Sequence, residues 1–331
     1  MKRNILITSA GKRVSLVKAF INELNAFFPE ARVFTADMNP EWSPACRVSN
    51  GYFQLPPVSD SIYCDALLSL CLQESIGLVI PTIDNELLCL SQAKEYFKAQ
   101  GIQIAVSDHS LVQKCRDKRI TNSLFKELGV DLPQPIDPFQ PTFPVFIKPY
   151  DGSLSRDIQV IFTADYWNPD LANNSKLLFM EYLGPNEYQE YTVDAYYDQV
   201  GRLKCMVPRK RIEIRAGEIS KGSTEKSTLY ESLKTKISYI KGAVSCLTIQ
   251  FFQHKETDQI LGIEINPRFG GGYPLSYQAG ANFPKMLIEE YFLGINPSFF
   301  EGWKHGTVML RYDQEIILQE NDFSPKPPIG T

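Results

Sequence analysis

The chain has 331 residues, of which 44% are hydrophobic and 22% charged, and its formal net charge is −4. This length accommodates two or three domains, each able to bury a core. A mildly acidic chain lacks the clustered basic surface that nucleic-acid binding requires, and no apolar run approaches the roughly 18 residues of a membrane span. The seven cysteines are scattered and there are only three histidines. This pattern argues against a zinc site and for reduced thiols in a cytoplasmic protein.

The first 110 residues alternate strand and helix patterns. NILITSA, ARVFTADMN, GLVIPTIDNE and IQIAVS predict strands, and the segments between them carry apolar residues at helical spacing. This alternation predicts a parallel α/β sheet, in which ligands bind beyond the carboxyl ends of the strands. Those ends are Thr8–Lys12, Asp37 and Asp84–Glu86. The first turn, TSAGKR, is neither a dinucleotide fingerprint nor a P-loop, and a tight turn explains Gly11 equally well.

A proline-rich segment separates the two halves of the chain. LPQPIDPFQPTFP follows a helical pattern that ends near Gly129, and it holds five of the 22 prolines. Proline has no backbone donor and stiffens the chain, so the segment is interpreted as a linker. Residues 145–162, 177–214 and 246–267 then predict hairpins, so the later sheets are expected to be mainly antiparallel. The polar stretch 215–226 is expected to lack regular structure and to close over the site as a mobile loop.

The stretch FIKPYDGSLSRD is a candidate phosphate site. Lys148 ends an apolar strand, and Gly152, Ser153 and Ser155 follow in the turn. Glycine and serine let backbone N–H groups converge on phosphate oxygens, next to the lysine charge. The alternative is an ordinary hairpin turn with a solvated lysine.

The stretch MEYLGPNEYQEYTVD is a candidate nucleoside site. A purine needs backbone donors and acceptors between apolar side chains, and a ribose needs a carboxylate for its hydroxyls. Met180, Glu181, Leu183 and Glu190 could supply these groups. The alternative is that the acids are surface positions on an edge strand.

The stretch IEINPRFGGG is a candidate metal and phosphate site. Glu264, Asn266 and Arg268 share one face of a strand that runs into three glycines. Gln250 lies fourteen residues before Glu264 on the neighbouring strand of a hairpin. Oxygen ligands of this kind suit Mg²⁺, and a planar guanidinium suits a phosphate. The alternative is a half-exposed strand that enters a turn.

Together these segments resemble the ATP-grasp superfamily, most closely its carbamoyl-phosphate-synthase large-subunit-like branch, as a single ATP-grasp unit. The resemblance covers essentially the whole chain. It implies an α/β fold with a parallel sheet, a Rossmann-like pre-ATP-grasp domain, at 1–110. An α+β ATP-grasp fold of two lobes with mainly antiparallel sheets follows, with the small lid lobe at 111–183 and the large lobe at 184–331.

The resemblance also implies a set of site residues. They are Lys118, Lys148 and Ser153 at the phosphates, Met180, Glu181, Tyr182 and Leu183 around adenine, Glu190 on the ribose, Gln250, Glu264 and Asn266 at Mg²⁺ (or Mn²⁺), and Asn266 and Arg268 beside the transferred phosphate. Arg209 and Arg211, in PRKRIEIR, are assigned to a carboxylate or acylphosphate, against the alternative of a solvated basic hairpin. Gln250 departs from the acid usual at the first metal position, and Phe269–Gly272 replaces the family's serines.

The activity implied is that of an ATP- and Mg²⁺-dependent carboxylate ligase. An acylphosphate would form from a small carboxylate, and an amine or a thiol would displace the phosphate, with C–N bond formation preferred. One ATP-grasp unit is too little for a complete carbamoyl-phosphate synthase. The alternatives are an ATP-binding sensor without catalysis and a dinucleotide-dependent oxidoreductase, although the latter lacks its glycine fingerprint. No nucleic-acid or membrane partner is expected, and a homodimer is left open.

Overall fold

The computed structural model describes residues 2–150, 157–215 and 217–323, and it begins with a parallel sheet. The elements of this part are β1 (Asn4–Thr8), α1 (Val14–Phe27), β2 (Val33–Asp37), α2 (Pro44–Val48), β3 (Tyr52–Gln54), α3 (Tyr63–Gln73), β4 (Ile76–Ile80), α4 (Asp84–Ala99) and β5 (Gln103–Ile104). The strand order is β3–β2–β1–β4–β5, and all pairs are parallel. β1 and β4 are almost wholly apolar and buried because helices cover both faces. The predicted parallel α/β sheet is confirmed, whereas β3 is too short to show a pattern.

Two helices then connect to the second half. They are α5 (His109–Arg116) and α6 (Lys118–Glu127). The sequence pattern predicts one helical piece here, but the helix breaks at Asp117, whose carboxylate accepts a hydrogen bond from the Arg119 backbone N–H at 2.9 Å. This carboxylate caps α6, so that α6 begins anew at Lys118.

The second half contains two antiparallel sheets within the described residues. Its elements are β6 (Val145–Pro149), β7 (Gln159–Ile161), β8 (Leu177–Glu181), β9 (Tyr188–Tyr197), β10 (Leu203–Arg215), β11 (Glu218–Thr224), α7 (Thr228–Lys236), β12 (Ser245–His254), β13 (Ile260–Asn266), α8 (Tyr273–Gln278), α9 (Phe283–Leu293) and β14 (Val308–Leu310). The small sheet has the order β7–β6–β8, and the large sheet has the order β13–β12–β9–β10–β11–β14. The predicted antiparallel sheets are confirmed.

One predicted element is wrong. Residues 218–224 form β11, which pairs with β10 on one side and with β14 on the other, rather than an irregular loop. The sequence EISKGST is polar and contains glycine, so its own strand propensity is weak. Pairing on both sides satisfies its backbone donors and acceptors, and this tertiary context outweighs propensity.

The parallel-sheet part and the large sheet share one hydrophobic core. Phe20 of α1 packs edge-on against Phe269, with ring centroids 5.8 Å apart, and both side chains are buried. This contact places the middle of α1 beside the glycine-rich turn that follows β13. No helix in the described parts of the chain is long and apolar enough to cross a bilayer.

A buried ion pair joins β9 to β10 on the polar face of the large sheet. Arg209 is 1% exposed and grips Asp194 with two nitrogens, Nε to Oδ2 at 2.7 Å and Nη2 to Oδ1 at 2.9 Å. Asp194 also accepts a hydrogen bond from Ser276 Oγ at 2.6 Å, which ties α8 to the pair. Such a pair is costly to break because the remaining charge would be buried alone.

Replacing Asp194 by Asn should therefore lower the free energy of unfolding by about 3–5 kcal/mol, since it leaves the Arg209 charge unpaired. Urea denaturation measures this loss. The matched control is Asp313→Asn, which removes an Arg–Asp pair of similar length, 2.6 Å to Arg215, on the open surface. That variant should unfold almost as the parent does, because water screens exposed pairs. Equal losses in the two variants would contradict the structural role of Asp194.

Helix α6 packs closely against Gly262 of β13, so no side chain fits at that position. A Cβ added there would lie 2.5 Å from Cδ1 of Phe125, a buried residue of α6. Gly262→Ala should therefore cost about 1–3 kcal/mol of unfolding free energy, as overpacking does. In a Phe125→Leu background the same change should cost less, because the shorter side chain can give way. A double-mutant cycle measures this coupling, and additive losses would refute it.

Candidate functional site

A cavity of about 510 Å³ is lined by the two antiparallel sheets, by α5 and α6, and by the segments that follow β1 and β4 of the parallel sheet. Its wall is rich in charge. The charged and amide side chains on the wall are Arg13, Asp84, Asn85, Arg116, Lys118, Lys148, Glu190, Arg209, Arg211, Glu218, Gln250, Glu264, Asn266 and Arg268. Most of the predicted site residues are thus brought together in one place.

One row of side chains crosses the floor of this cavity. Gln250 of β12 is the cross-strand partner of Glu264 of β13 on one side and of Thr192 of β9 on the other. Thr192 in turn lies opposite Arg209 of β10. Side chains directly opposite each other in a sheet share a face, so the row projects into the cavity. The pairing of Gln250 with Glu264 expected from the hairpin is present.

The donors of this row suit a hard divalent cation. Asn266 Nδ2 donates a hydrogen bond to Glu264 Oε1 at 2.9 Å, which leaves Asn266 Oδ1 and Glu264 Oε2 as oxygens available to a cation. No cluster of three or more acidic, histidine or cysteine ligands exists in the part of the chain that is described. The residues therefore fit an ion that takes its other ligands from phosphate and water, as Mg²⁺ does.

Lys148 is a buried cation on the small sheet's side of the cavity. Burial lowers the pKa of Lys148 to about 8, and the nearby charge of Lys118 acts in the same direction while Glu264 opposes it. Lys118 begins α6 and lines the same cavity. Ser153, the third predicted phosphate contact, lies outside the described residues.

Glu190 and Arg211 form an ion pair on the next row of the large sheet, with Arg211 Nη1 3.2 Å from Glu190 Oε1. Burial raises the pKa of Glu190, and the charge of Arg211 only partly offsets it. Arg211 Nη2 also donates to the carbonyl of Gly217 at 3.0 Å. Arg211 is 7% exposed, so the predicted alternative of a solvated basic hairpin does not describe it.

Arg209 also belongs to the cavity wall, although two of its nitrogens are occupied by Asp194. Its remaining nitrogen, Nη1, faces Gly272, where any Cβ would collide with it. The glycine after β13 thus gives the guanidinium room at the cavity floor.

Arg268 links the turn after β13 to the parallel sheet. Its Nη2 donates to Asp84 Oδ2 at 2.7 Å across 184 residues of chain. Burial lowers the pKa of Arg268, but Asp84 and Glu264 more than compensate, so its pKa stays above the usual value. The guanidinium is therefore a fixed positive charge next to the Glu264 row.

The four predicted adenine-binding residues border the cavity without lining it. Met180 is the cross-strand partner of Phe146, and Phe146 is on the wall. Glu181 is tied to the linker, because its Oε1 accepts from the Gln134 N–H at 2.8 Å and its own N–H donates to the Gln134 carbonyl at 2.9 Å. Tyr182 and Leu183 follow at the end of β8. The backbone N–H of Leu183 has no partner within residues 2–150, 157–215 and 217–323.

The structure adds residues that the sequence analysis did not select. Arg13 and Glu218 both line the cavity. Arg13 belongs to the TSAGKR turn, and Glu218 falls in the stretch expected to be irregular. Glu86, at the ligand end of the sheet, is fully buried and is held by Ser9, Tyr63 and the N–H groups of 82 and 83, so it stabilises the start of α4 instead of facing a ligand.

Comparisons with known families match two parts of the chain. Residues 5–105 match the PylC-like N-terminal domain, and residues 173–309 match the family described as ATP-grasp in the biosynthetic pathway with Ter operon. A comparison with curated proteins gives no match.

Several solved structures share the fold at low sequence identity. The biotin carboxylase domain of Hydrogenobacter thermophilus 2-oxoglutarate carboxylase, in complex with MgADP, ADP and bicarbonate, is 15% identical with a TM-score of 0.67, over 92% of this chain and 73% of that one. Staphylococcus aureus N5-carboxyaminoimidazole synthetase with ADP is 16% identical with a TM-score of 0.65, over 93% and 79%. The L-amino acid ligase of Bacillus licheniformis is 13% identical with a TM-score of 0.64, over 87% and 73%.

These matches agree with the order of elements found here, a parallel sheet followed by two antiparallel sheets that enclose a charged cavity. The predicted superfamily is confirmed. Residues 5–105 are thus similar to a PylC-like N-terminal domain, and residues 173–309 to a single ATP-grasp unit.

Proposed function

We propose that this protein is an ATP- and Mg²⁺-dependent carboxylate ligase that forms a C–N bond, with a thiol as the alternative acceptor, through an acylphosphate. The observation that carries the proposal is the convergence of Lys148, the Gln250–Glu264 row and Arg268 on one cavity. The similar proteins point the same way, since one is a synthetase solved with ADP and another is an amino acid ligase.

The proposed nucleotide position follows from the charges on the wall. Lys148 and Lys118 would hold the triphosphate, and Ser153 remains a predicted contact. Glu190 would accept from the ribose hydroxyls. The backbone of 180–183 would meet adenine, for which the N–H of Leu183 is a donor at the cavity's border.

The cation would be held by Glu264, Asn266 and Gln250, with Mn²⁺ able to replace Mg²⁺. When bound, such an ion neutralises phosphate charge and polarises the phosphorus–oxygen bond that breaks. Gln250 supplies an amide oxygen where a second carboxylate would add charge, so the proposed site depends more heavily on Glu264 and on the phosphates themselves.

The protein's own groups would then position the reactants. Arg268 and the free nitrogen of Arg209 would stabilise charge that develops on the transferred phosphate and on the carboxylate, with Arg211 next to them. Fixed cations in an enclosed site need little reorganisation during the reaction, so they favour the transition state over the ground state. No side-chain nucleophile is needed for this chemistry.

The proposed site acts on small molecules, since a cavity of about 510 Å³ is large enough for a nucleotide and small reactants. All seven cysteines are free thiols, which supports a reducing compartment such as the cytoplasm. The acceptor class and the homodimer remain proposals.

A sensor that binds ATP without turnover is the second candidate, favoured by the single carboxylate in the metal row.

Replacing Glu264 by Gln tests the metal assignment. The variant should bind an unhydrolysable ATP analogue about 10- to 100-fold more weakly than the parent in the presence of Mg²⁺, because one charged ligand is lost. Without Mg²⁺ the variant should bind the analogue at least as tightly as the parent, because the Glu264 carboxylate then repels the phosphates. Calorimetric titration measures both affinities, and a screen for ADP release with carboxylates and amines should lose all signal in the variant.

The control is Glu256→Gln, an exposed position at the turn of the same hairpin. It should match the parent in every assay. If Glu264→Gln kept the Mg²⁺ effect, the metal assignment would be wrong. If wild type bound Mg²⁺–ATP tightly and released no ADP with any substrate pair, the sensor would be the better description.

The lowered pKa of Lys148 makes nucleotide binding depend on pH. A triphosphate favours the charged form of Lys148, so nucleotide binding raises the pKa of this lysine. Near pH 8 about half of the protein molecules carry a neutral Lys148, and these must take up a proton when the nucleotide binds. Affinity should therefore fall as the pH rises through 8, whereas below about pH 7 the lysine is already charged and takes up none. Calorimetry in buffers of different ionisation enthalpy counts the protons taken up.

The matched variant is Lys148→Arg, whose guanidinium stays charged throughout. It should show no proton uptake between pH 7 and pH 9 even if its affinity is lower. Proton uptake that persisted in this variant would assign the titration to another group.

A further inference from the structure

Two thiols of the parallel-sheet part lie side by side, and neither lines the cavity. Cys64 is in the first turn of α3, and Cys89 is in the second turn of α4. Both side chains are half-buried, and both pack against the same hydrophobic cluster. The proposed ligase chemistry uses no cysteine, so it leaves this pair without a task.

Hydrogen bonds at Glu86 hold the two helices in this arrangement. The hydroxyl of Tyr63, the residue before Cys64, donates to Oε2 of the buried Glu86 at 2.9 Å. Cys89 follows Glu86 by three residues and lies on the same face of α4, where its Sγ donates to the Glu86 carbonyl at 3.1 Å. The bond between Tyr63 and Glu86 thus brings the first turn of α3 and its thiol against the start of α4.

The two sulfur atoms are within hydrogen-bond contact of each other. The thiol proton of Cys89 can turn from the Glu86 carbonyl to Cys64, and this hydrogen bond lowers the pKa of the Cys64 thiol, although burial and the charge of Asp65 oppose it. Of the seven cysteines, all of which the structure describes, Cys64 alone has a lowered pKa. The pKa values of the other six are raised, in five of them mainly by burial. Because the thiolate is the nucleophile in thiol chemistry, Cys64 is the sulfur that would react first.

We propose that Cys64 and Cys89 form a redox-active dithiol, which reacts with small disulfides of the glutathione class and closes into a disulfide between α3 and α4. This bond would close a loop that contains β4 and residues 82–85 of the cavity wall. Disulfides of this kind, formed transiently in a reducing compartment, serve redox sensing. The inference goes beyond the proposed ligase function and does not depend on it.

The first step of the exchange is an attack by Cys64. Its thiolate attacks one sulfur of oxidised glutathione, the S–S bond of glutathione breaks, and one glutathione thiolate leaves and takes a proton from solvent. The product is a mixed disulfide between Cys64 and the second glutathione.

The second step is an attack by Cys89 on the mixed disulfide. The pKa of Cys89 is raised first by its hydrogen bond to Cys64 and then by burial. The first cause disappears when the Cys64 sulfur is bonded, so Cys89 can then lose its proton to solvent. Its attack on the Cys64 sulfur releases the second glutathione thiolate, which is protonated. Two protein thiols are thus oxidised, and one disulfide is reduced to two thiols.

Differential alkylation of the wild-type protein tests the proposal. Reduced protein is incubated with oxidised glutathione, quenched with acid, alkylated and analysed by mass spectrometry. A disulfide between Cys64 and Cys89 should form, and dithiothreitol should return it to two thiols. Cys115 is the internal control, because it is also half-buried but burial raises its pKa, and it should stay reduced in the same sample.

Two variants separate the roles of the two thiols. Cys89→Ala should stop at the first step, with one glutathione bound to Cys64. Cys64→Ala should leave Cys89 reduced, because the attacking thiolate is gone. The matched control is Cys115→Ala, which should form the bond between Cys64 and Cys89 as wild type does.

The pH dependence of alkylation distinguishes a reactive pair from two thiols that only pack together. Cys89 and Asp65 are the ionisable groups that act on Cys64, and Tyr63 and Glu86 are the ionisable neighbours of Cys89. The rate at which iodoacetamide modifies Cys64 should reach half its maximum at a lower pH than for free cysteine. In Cys89→Ala this midpoint should move to higher pH, because the hydrogen bond to the thiolate is lost.

Three results would overturn the assignment. They are the absence of a bond between Cys64 and Cys89 in wild type, a bond that joins Cys64 to another cysteine, and a midpoint that stays in place in Cys89→Ala. If the alanine variants fail to fold, the crosslink in wild type decides alone. Binding of Mg²⁺–ADP is measured separately, so the ligase proposal can fail or stand whatever the dithiol does.

Discussion

The register between β12 and β13 is the constraint on which the rest of the cavity depends. It sets Gln250 opposite Glu264, and β9 and β10 extend the row to Thr192 and Arg209. If the pairing register slipped by one residue, every side chain of the row would point to the opposite face of the sheet, where the side chains are apolar. Because Ile249, Phe251 and Ile265 fill that opposite face and are buried, the hydrophobic core enforces the register. Packing on one face thus positions polar oxygens on the other.

The cations along the cavity fall into two groups, one near the small sheet and one near the parallel sheet. Lys148 and Lys118 lie toward the small sheet, next to the Glu264 row, and would suit a triphosphate. Arg13 and Arg268 lie toward the parallel sheet, with Asp84 between the two parts of the molecule. Arg209 lies at the end of the row, where Asp194 holds it in place. The buried pair is therefore as much a support for the site as a feature of the core.

The features that were predictable from sequence are those that local rules govern. The two-residue period of a strand placed Glu264 and Asn266 on one face, and a hairpin of ordinary length brought Gln250 opposite Glu264. Arg268 was expected on the same strand face but lies in the turn after β13, because the strand ends at Asn266. The strand 218–224 was missed because its polar sequence is a strand only between β10 and β14. Arg13 was missed because its place depends on the contact of Phe20 with Phe269, and the Arg268–Asp84 pair joins residues 184 apart. Contacts between segments that are far apart in the chain cannot be predicted from the spacing of residues along the sequence.

The most direct test of the central claim is to locate the cation. A crystal grown with Mn²⁺ and an unhydrolysable ATP analogue would give an anomalous signal at the metal. We expect a peak within bonding distance of Glu264, about 2.0–2.3 Å, that is shared with phosphate oxygens and lies beside Asn266 and Gln250. A peak elsewhere in the cavity, or a nucleotide bound with its phosphates turned away from β13, would contradict it.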